Sequence, residues 1–234
     1  MTKRILILSF LIFISLKSNG QSISDLSIKI CDSIKSRQFK NSDTIALQQT
    51  EIYISFLSKY VQKQNNLKIE NLNNDFNSIN YKLTRELNKT CDNFKIKNSV
   101  ILPLTNLIEI DSVFSTEQRK KINDLTKEIR TKNRMEILIL SIDELNPNTD
   151  ISEFAYNKLI DWNIGGVFQK SGTIIVFSKK LRKVAISTTE ISMKYLTNKD
   201  CDKLIAEIMI PNFKNNNYYD GIYQSLIEIK SIIK

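Results

Sequence analysis

The chain has 234 residues, 34 Lys and Arg against 25 Asp and Glu, and no histidine. The missing His excludes Ser-His-Asp triads, Cys-His dyads and His-ligated metals, so any catalysis would run on carboxylates, Lys, Tyr or an oxygen-ligated metal. The net charge of +9 is spread along the sequence and not gathered in blocks, which speaks against a nucleic-acid partner. The sequence opens "MTKRILILSFLIFISLKSNGQ". Lys3 and Arg4 form a basic n-region, Ile5 to Leu16 an apolar core, and Ser18, Asn19 and Gly20 a small-residue exit. The apolar run is short of the ~20 residues that a membrane span needs, so residues 1–20 are expected to be a cleavable signal peptide. The mature chain is expected to be periplasmic or secreted, with its net charge reduced to +6 by loss of Lys3, Arg4 and Lys17.

Residues 21–98 are expected to form a helical bundle, since positions 22 to 98 hold neither Gly nor Pro. Ile23, Leu26, Ile30 and Ile34 make one helical stripe. After a cap at Ser42 or Asp43, a second is roughly marked by Ile45, Gln49, Ile52, Phe56 and Tyr60, with Tyr53 and Leu57 beside it. A third joins Ile69, Leu72, Phe76, Ile79, Leu83 and Leu87 at alternating 3- and 4-residue steps. Three antiparallel helices with short connections bury such stripes. Cys31 lies towards the C-terminal part of the short first helix, and Cys91 at the end of the third. In an oxidising compartment the pair can form a disulfide worth ~4 kcal/mol; the alternative is two buried thiols.

A linker over 99–106 leads to an α/β domain over 107–234. "STEQ" (115–118) is a capping box that opens a helix carrying Ile122, Leu125 and Ile129. "MEILILSI" (135–142) has the continuous apolar character of a strand covered on both faces. "NPNTD" turns the chain into a helix capped by Asp150 and Glu153, with Phe154, Leu159 and Trp162 inward. "GTIIVFS" and "KVAIST" are two more strands around the basic turn Lys179 to Arg182. Thr197 and Asp200 have capping-box spacing, and Cys201, Leu204, Ile205, Ile208 and Met209 stripe the helix that follows, which Pro211 is expected to end. A last helix runs from about Tyr218. Apolar strands between helices require helices on both sheet faces. The expected fold class is therefore α plus α/β: a three-helix bundle followed by a three-layer α/β/α sandwich.

The glycines of "DWNIGGVFQKSGTIIVFSKK" (161–180) do not form a phosphate loop. A Walker-type loop runs from strand to helix and places Lys after its last Gly, whereas here a helix precedes the glycines, a strand follows, and Thr173 stands in the Lys position. Gly165 instead suits a helix C-cap with positive φ.

"DWNIGGVFQKSGTIIVFSKKLRKVAIST" resembles the hallmark stretch of the TPM-domain family: a Trp-Gly-Ile-Gly-like helix end, a polar loop, an aliphatic strand and a basic turn into a second strand. "MIPNFKNNNYYDGIYQSLIEI" (209–229) continues the similarity through Pro211, Phe213, Tyr218 or Tyr219, and Gly221. The resemblance covers about residues 105 to 234. It implies an α/β/α sandwich and, from members that include thylakoid-lumen repair proteins, an acid phosphatase and bacterial exported proteins, an acidic metal-binding cluster near strand ends. "IEIDSVFS" (108–115) is similar to the family's "N-D-x-A-x-x-L-S", with Glu109 at the Asp and Asp111 where a small residue is usual. The family's Gly-Tyr-Gly loop is replaced by Thr189, Glu190 and Ile191, the acid after it by Met193, and the Leu-Thr-Asp motif by Leu196, Thr197 and Asn198. Each lost carboxylate removes a hard ligand. The metal set implied by resemblance is thus Glu109, Asp111 and Asn198, with Asp143 and Glu190 as reserves, and no catalytic residue is assigned. No cofactor is expected, Ca²⁺ being the ion if the family site is retained. The function expected is a non-catalytic binding or scaffolding module for envelope or membrane proteins, the alternatives being a Ca²⁺-dependent phosphatase and docking on an anionic membrane surface.

Overall fold

The computed structural model describes residues 21–39, 44–63, 72–94, 106–145, 150–168 and 171–234. The expected signal segment 1–20, the cap at Ser42 or Asp43, Ile69, the linker up to residue 105 and the turn 146–149 lie outside the described residues.

Three helices come first: α1 (Ile23–Ser36), α2 (Ile45–Gln62) and α3 (Leu72–Thr90). A capping box between Ser22 and Asp25 starts α1, each residue receiving the other's backbone N–H. Leu26, Ile30 and Ile34 of α1 pack with Leu83 and Leu87 of α3 in a core of their own. The buried line of α2 is Gln49, Tyr53 and Leu57: it shares Gln49 with the expected stripe and then runs through the residues beside it, with Ile52, Phe56 and Tyr60 flanking. Two of these residues have long-range polar partners: Gln49 Nε2 donates to the Asn93 carbonyl at 2.7 Å, and the Tyr53 hydroxyl donates to Asn80 Oδ1 at 2.6 Å. A disulfide joins Cys31 to Cys91, with Cα atoms 5.7 Å apart, and so ties α1 to the residue after α3.

A four-stranded sheet follows in the order β1 (Leu107–Ile108), β2 (Glu136–Ser141), β3 (Gly172–Ser178) and β4 (Lys183–Thr188). The first three run parallel, and β4 returns antiparallel to β3 through the 179–182 turn, where Arg182 has φ 53°. The sequence indicates three strands; β1 is the fourth, and two residues are too few to show a period. Side chains alternate across the sheet as strand geometry requires. Leu107, Ile137, Ile139, Ile175 and Phe177 enter one core, and Ile108, Leu138, Leu140, Ile174 and Val176 enter the other.

The first of these cores is covered by α4 (Thr116–Asn133) and by α7 (Asn198–Lys203), α8 (Ile210–Lys214) and α9 (Tyr218–Ile232), the second by α5 (Ile151–Asp161). The result is a helix–sheet–helix sandwich. Capping boxes at Ser115/Gln118 and Thr197/Asp200 start α4 and α7, and Thr189 caps the single turn α6 (Glu190–Met193). Cys201 is a buried free thiol in the first core. Among the described residues no helix is long and apolar enough to cross a membrane.

Two local expectations are corrected. Pro211 does not end its helix: α7 passes into a π-helical segment, Leu204–Met209, and then into α8 with Pro211 in the first turn. A first-turn proline needs no intrahelical N–H partner, so the helix restarts around it. It stops at Asn216 (φ 60°), with Asn217 N–H donating to the Asn212 carbonyl at 3.0 Å. Likewise, α5 is not closed by Gly165: its C-cap is Trp162, and the left-handed residue just after it is Asn163 (φ 48°), where Ile164 N–H donates to Leu159 and Asn163 N–H to Ile160. Gly165 does take positive φ, 86°, but for a different reason. A Cβ built on it would lie 2.4 Å from the Gly172 nitrogen, and one on Gly172 would lie 2.2 Å from the Ile164 carbonyl oxygen. The glycines let the turn after α5 lie directly against the first residue of β3.

Candidate functional site

Ligands of parallel α/β sheets sit outside the carboxyl ends of the strands. Here those ends bring together Glu109 to Asp111 after β1, Ile142 to Glu144 after β2, and Ser178 at the end of β3. The Ser141 hydroxyl accepts the Ile110 N–H at 2.8 Å and so pins the exit of β1 to that of β2.

Glu109 is the buried member, 5% exposed. Its carboxylate accepts the Phe114 N–H through one oxygen and the Arg119 Nε–H, at 2.6 Å, through the other. Burial pushes its pKa above the ordinary glutamate value, against the opposing pull of Arg119 and of the Phe114 amide. The capping box at Ser115 starts α4 immediately after this loop, which places Arg119 one turn into the helix. Glu109 therefore closes the β1–α4 loop on itself. Asp111, two residues on, is exposed.

The rest of the edge is covered by α3. The Ser78 hydroxyl donates to the Glu109 carbonyl at 2.5 Å, and Lys82 Nζ donates to the Ile110 carbonyl at 3.0 Å. Arg85 pairs with Asp143 and, at 3.3 Å, with Glu144, which Lys89 also meets. Burial pushes the Asp143 carboxyl up, but the hydrogen bond and charge of Arg85 outweigh it and hold the group below its ordinary value. Tyr81 sets its ring edge-on to Trp162, with centroids 6.1 Å apart.

A pH dependence follows from Asp143. Its folded pKa is lowered, so the stabilisation from Arg85 is present above the ordinary aspartate value of 3.8 and is lost as pH falls through the lower folded value. Acid release of α3, read from the emission of Trp162, the single tryptophan of the chain, is expected to have its midpoint below pH 3.8. A midpoint at or above that value would show that Arg85 does not hold Asp143 in the docked state.

The residues of the metal set implied by resemblance do not share one end of the sheet. Glu109 and Asp111 are at the carboxyl edge. Glu190 follows Thr189, whose N–H donates to the Gly172 carbonyl at 2.9 Å, at the opposite end of β3. Asn198, exposed, opens α7 at that same opposite end; its neighbour Asp200 flanks a groove with Ile232, and Asn133 at the end of α4 donates to the carbonyl of Ile233. Between Arg119, which holds Glu109, and Asn133 run about 20 Å of α4. Among the described residues no three His, Cys, Asp or Glu side chains gather as a metal cluster. The donors do not fit a Ca²⁺ ion: Glu109 carries a guanidinium, Asp143 another, and Asn198 is out of reach. What sequence reasoning missed is the set of cations on these oxygens. Its signal was the spacing of Ser78, Lys82, Arg85 and Lys89, a second stripe on α3 beside the apolar one.

The family model for the TPM domain matches residues 109–232, more than half of the chain. Two solution NMR structures are similar in shape. The N-terminal domain of a protein from P. gingivalis is 19% identical, with a TM-score of 0.49 over 54% of this chain and 80% of that one. The N-terminal domain of a Corynebacterium glutamicum protein is 9% identical, with a TM-score of 0.46 over 55% and 79%. No curated protein sequence matches the chain. With its helix–turn–strand hallmark in place and more than half of its length matched, the chain belongs to the TPM-domain family.

Proposed function

We propose that the protein is an exported, periplasmic or secreted binding module that scaffolds other envelope proteins without turnover. One observation carries this: the oxygens at the carboxyl edge, where an α/β enzyme of this layout would bind its ligand, are taken by the chain's own Ser78, Lys82, Arg85 and Arg119. A phosphatase using a hard cation needs those oxygens for the metal. The basic n-region and apolar core of residues 1–20 support export.

The test has two arms. Calorimetric titration of the purified mature protein with Ca²⁺ and Mg²⁺ is expected to give no binding heat, and cross-linking in envelope extracts is expected to trap a specific protein. Tight Ca²⁺ binding, with divalent-dependent phosphate release that falls on Glu109→Ala or Asp111→Ala, would establish the phosphatase instead. Extracts that yield no cross-link above background would end the scaffold proposal.

A further inference from the structure

Helix α3 serves two hosts. Leu83 and Leu87 face the bundle core, whereas Ser78, Lys82, Arg85 and Lys89, at steps of 4, 3 and 4 residues, form a separate stripe. That stripe meets the sheet edge in register: Ser78 on the carbonyl of Glu109, Lys82 on that of Ile110, Arg85 on Asp143 and Lys89 on Glu144. Among the described residues of α3, Tyr81 packs into the core behind β1–β4 and α5. The ion pairs are partly open to solvent, with side-chain exposures of 20% and 31% for Arg85 and Asp143, and 33% and 34% for Lys89 and Glu144. Such pairs contribute little each and weaken with salt. The bundle, by contrast, has its own apolar core and a disulfide. The weaker joint is between α3 and the edge, so the bundle can leave that edge without first coming apart.

We propose that the carboxyl edge of the α/β domain is a receptor for a cationic amphipathic helix, and that α3 is its resident internal occupant. A partner helix with an aromatic residue followed by basic residues one, four and eight positions on, as in Tyr81, Lys82, Arg85 and Lys89, takes the same seat by displacing α3. The acceptors are fixed by the fold: two strand-end carbonyls for a donor of any geometry, and two carboxylates for guanidinium or ammonium groups. This names the partner chemistry of the proposed binding module and rests on that proposal.

The experiment uses the full mature chain with its disulfide intact. A variant carrying Lys82→Glu, Arg85→Glu and Lys89→Glu reverses the stripe, and a fluorescent, end-blocked peptide of residues 72–90 is the probe. The variant is expected to show altered Trp162 emission and to bind the peptide at least ten-fold more tightly than the unmodified chain, whose edge is occupied. Adding Asp143→Asn and Glu144→Gln is expected to cost the variant about ten-fold in peptide affinity. Unchanged Trp162 emission, an opened variant that ignores the peptide, or binding indifferent to residues 143 and 144 would each overturn the proposal. Should the charge-reversed chain fail to fold, hydrogen exchange of the unmodified chain at rising salt decides. Protection should fall at residues 107–113 and 141–145 before it falls in α1, and simultaneous loss overturns the idea. A failed peptide titration beside a successful envelope cross-link sinks this inference alone; failure of both removes the module proposal as well.

Discussion

Replacing Cys31 and Cys91 together by serine is expected to lower the unfolding free energy of the helical bundle by about 4 kcal/mol, measured as a fall in the urea midpoint. The bond spans 60 residues, so its loss returns a long loop's freedom to the unfolded chain. Both cysteines are buried at the junction of α1 with the end of α3, beside Phe94 and Leu87, so the serine hydroxyls also enter apolar surroundings. The bundle core is small: among the described residues it has ten buried apolar side chains, two of them the bridge itself. Small cores rarely hold much margin, and a covalent tie often supplies it. Exchange protection should therefore collapse in residues 23–36 and 45–62 while β2 and β3 stay protected. A midpoint shift worth less than about 1 kcal/mol would mean that the unfolded chain keeps the cysteines close without the bond.

The other large effect lies at the meeting of the α5 turn with β3. Gly172→Ala is expected to cost roughly 3 kcal/mol, because its Cβ would strike the Ile164 carbonyl oxygen and carbon at 2.2 and 2.5 Å, backbone atoms with no rotamer to yield. Gly165→Ala should cost as much. It meets the Gly172 and Ser171 backbone at 2.4 to 2.6 Å and adds the strain of φ 86°. Gly166→Ala is the internal control. The three atoms nearest its Cβ all belong to the Asn163 side chain, which can turn aside, so the expected cost is nearer ~1 kcal/mol. The denaturant midpoints of Gly172→Ala and Gly165→Ala should both lie well below that of Gly166→Ala. Equal midpoints for all three would remove close backbone approach as the reason for this glycine cluster.

Much of the fold is readable from local chemistry. Capping boxes at Ser115/Gln118 and Thr197/Asp200 act within one helical turn, so three-residue spacing is enough to place them. The apolar runs of β2 and β3 announce strands buried on both faces, and β3 is buried at every position. Local pattern fails where the deciding partner is remote. On the buried line of α2, Gln49 and Tyr53 reach Asn93 and Asn80, residues that no window around α2 contains. The same holds for the site. Glu109 and Asp111 are found by likeness to a family pattern, but Arg119 and Arg85, which decide what the edge oxygens can bind, resemble any solvated basic residue until the strands are placed. Asn198 shares the family's motif order with Glu109, yet α4 stands between them, because motif order along the chain does not encode which end of a sheet a loop returns to.

The π-helical segment Leu204–Met209 has a geometric consequence. A π turn takes in one residue more than the α-helical register allows, and each residue of an α-helix advances the azimuth by about 100°. The segment therefore acts as a phase shifter between α7 and α8. An unbroken α-helix that aims Cys201 and Leu204 at the sheet would carry its apolar stripe on through Ile208 and Asn212. With the extra residue the stripe passes instead to Met209, which is fully buried, and to Phe213, whose ring lies 5.6 Å from Phe177 and 4.8 Å from Tyr218. One added residue of backbone thus lets a single helical run turn side chains toward the sheet in two successive phases, Cys201 and Leu204 in the first, Met209 and Phe213 in the second.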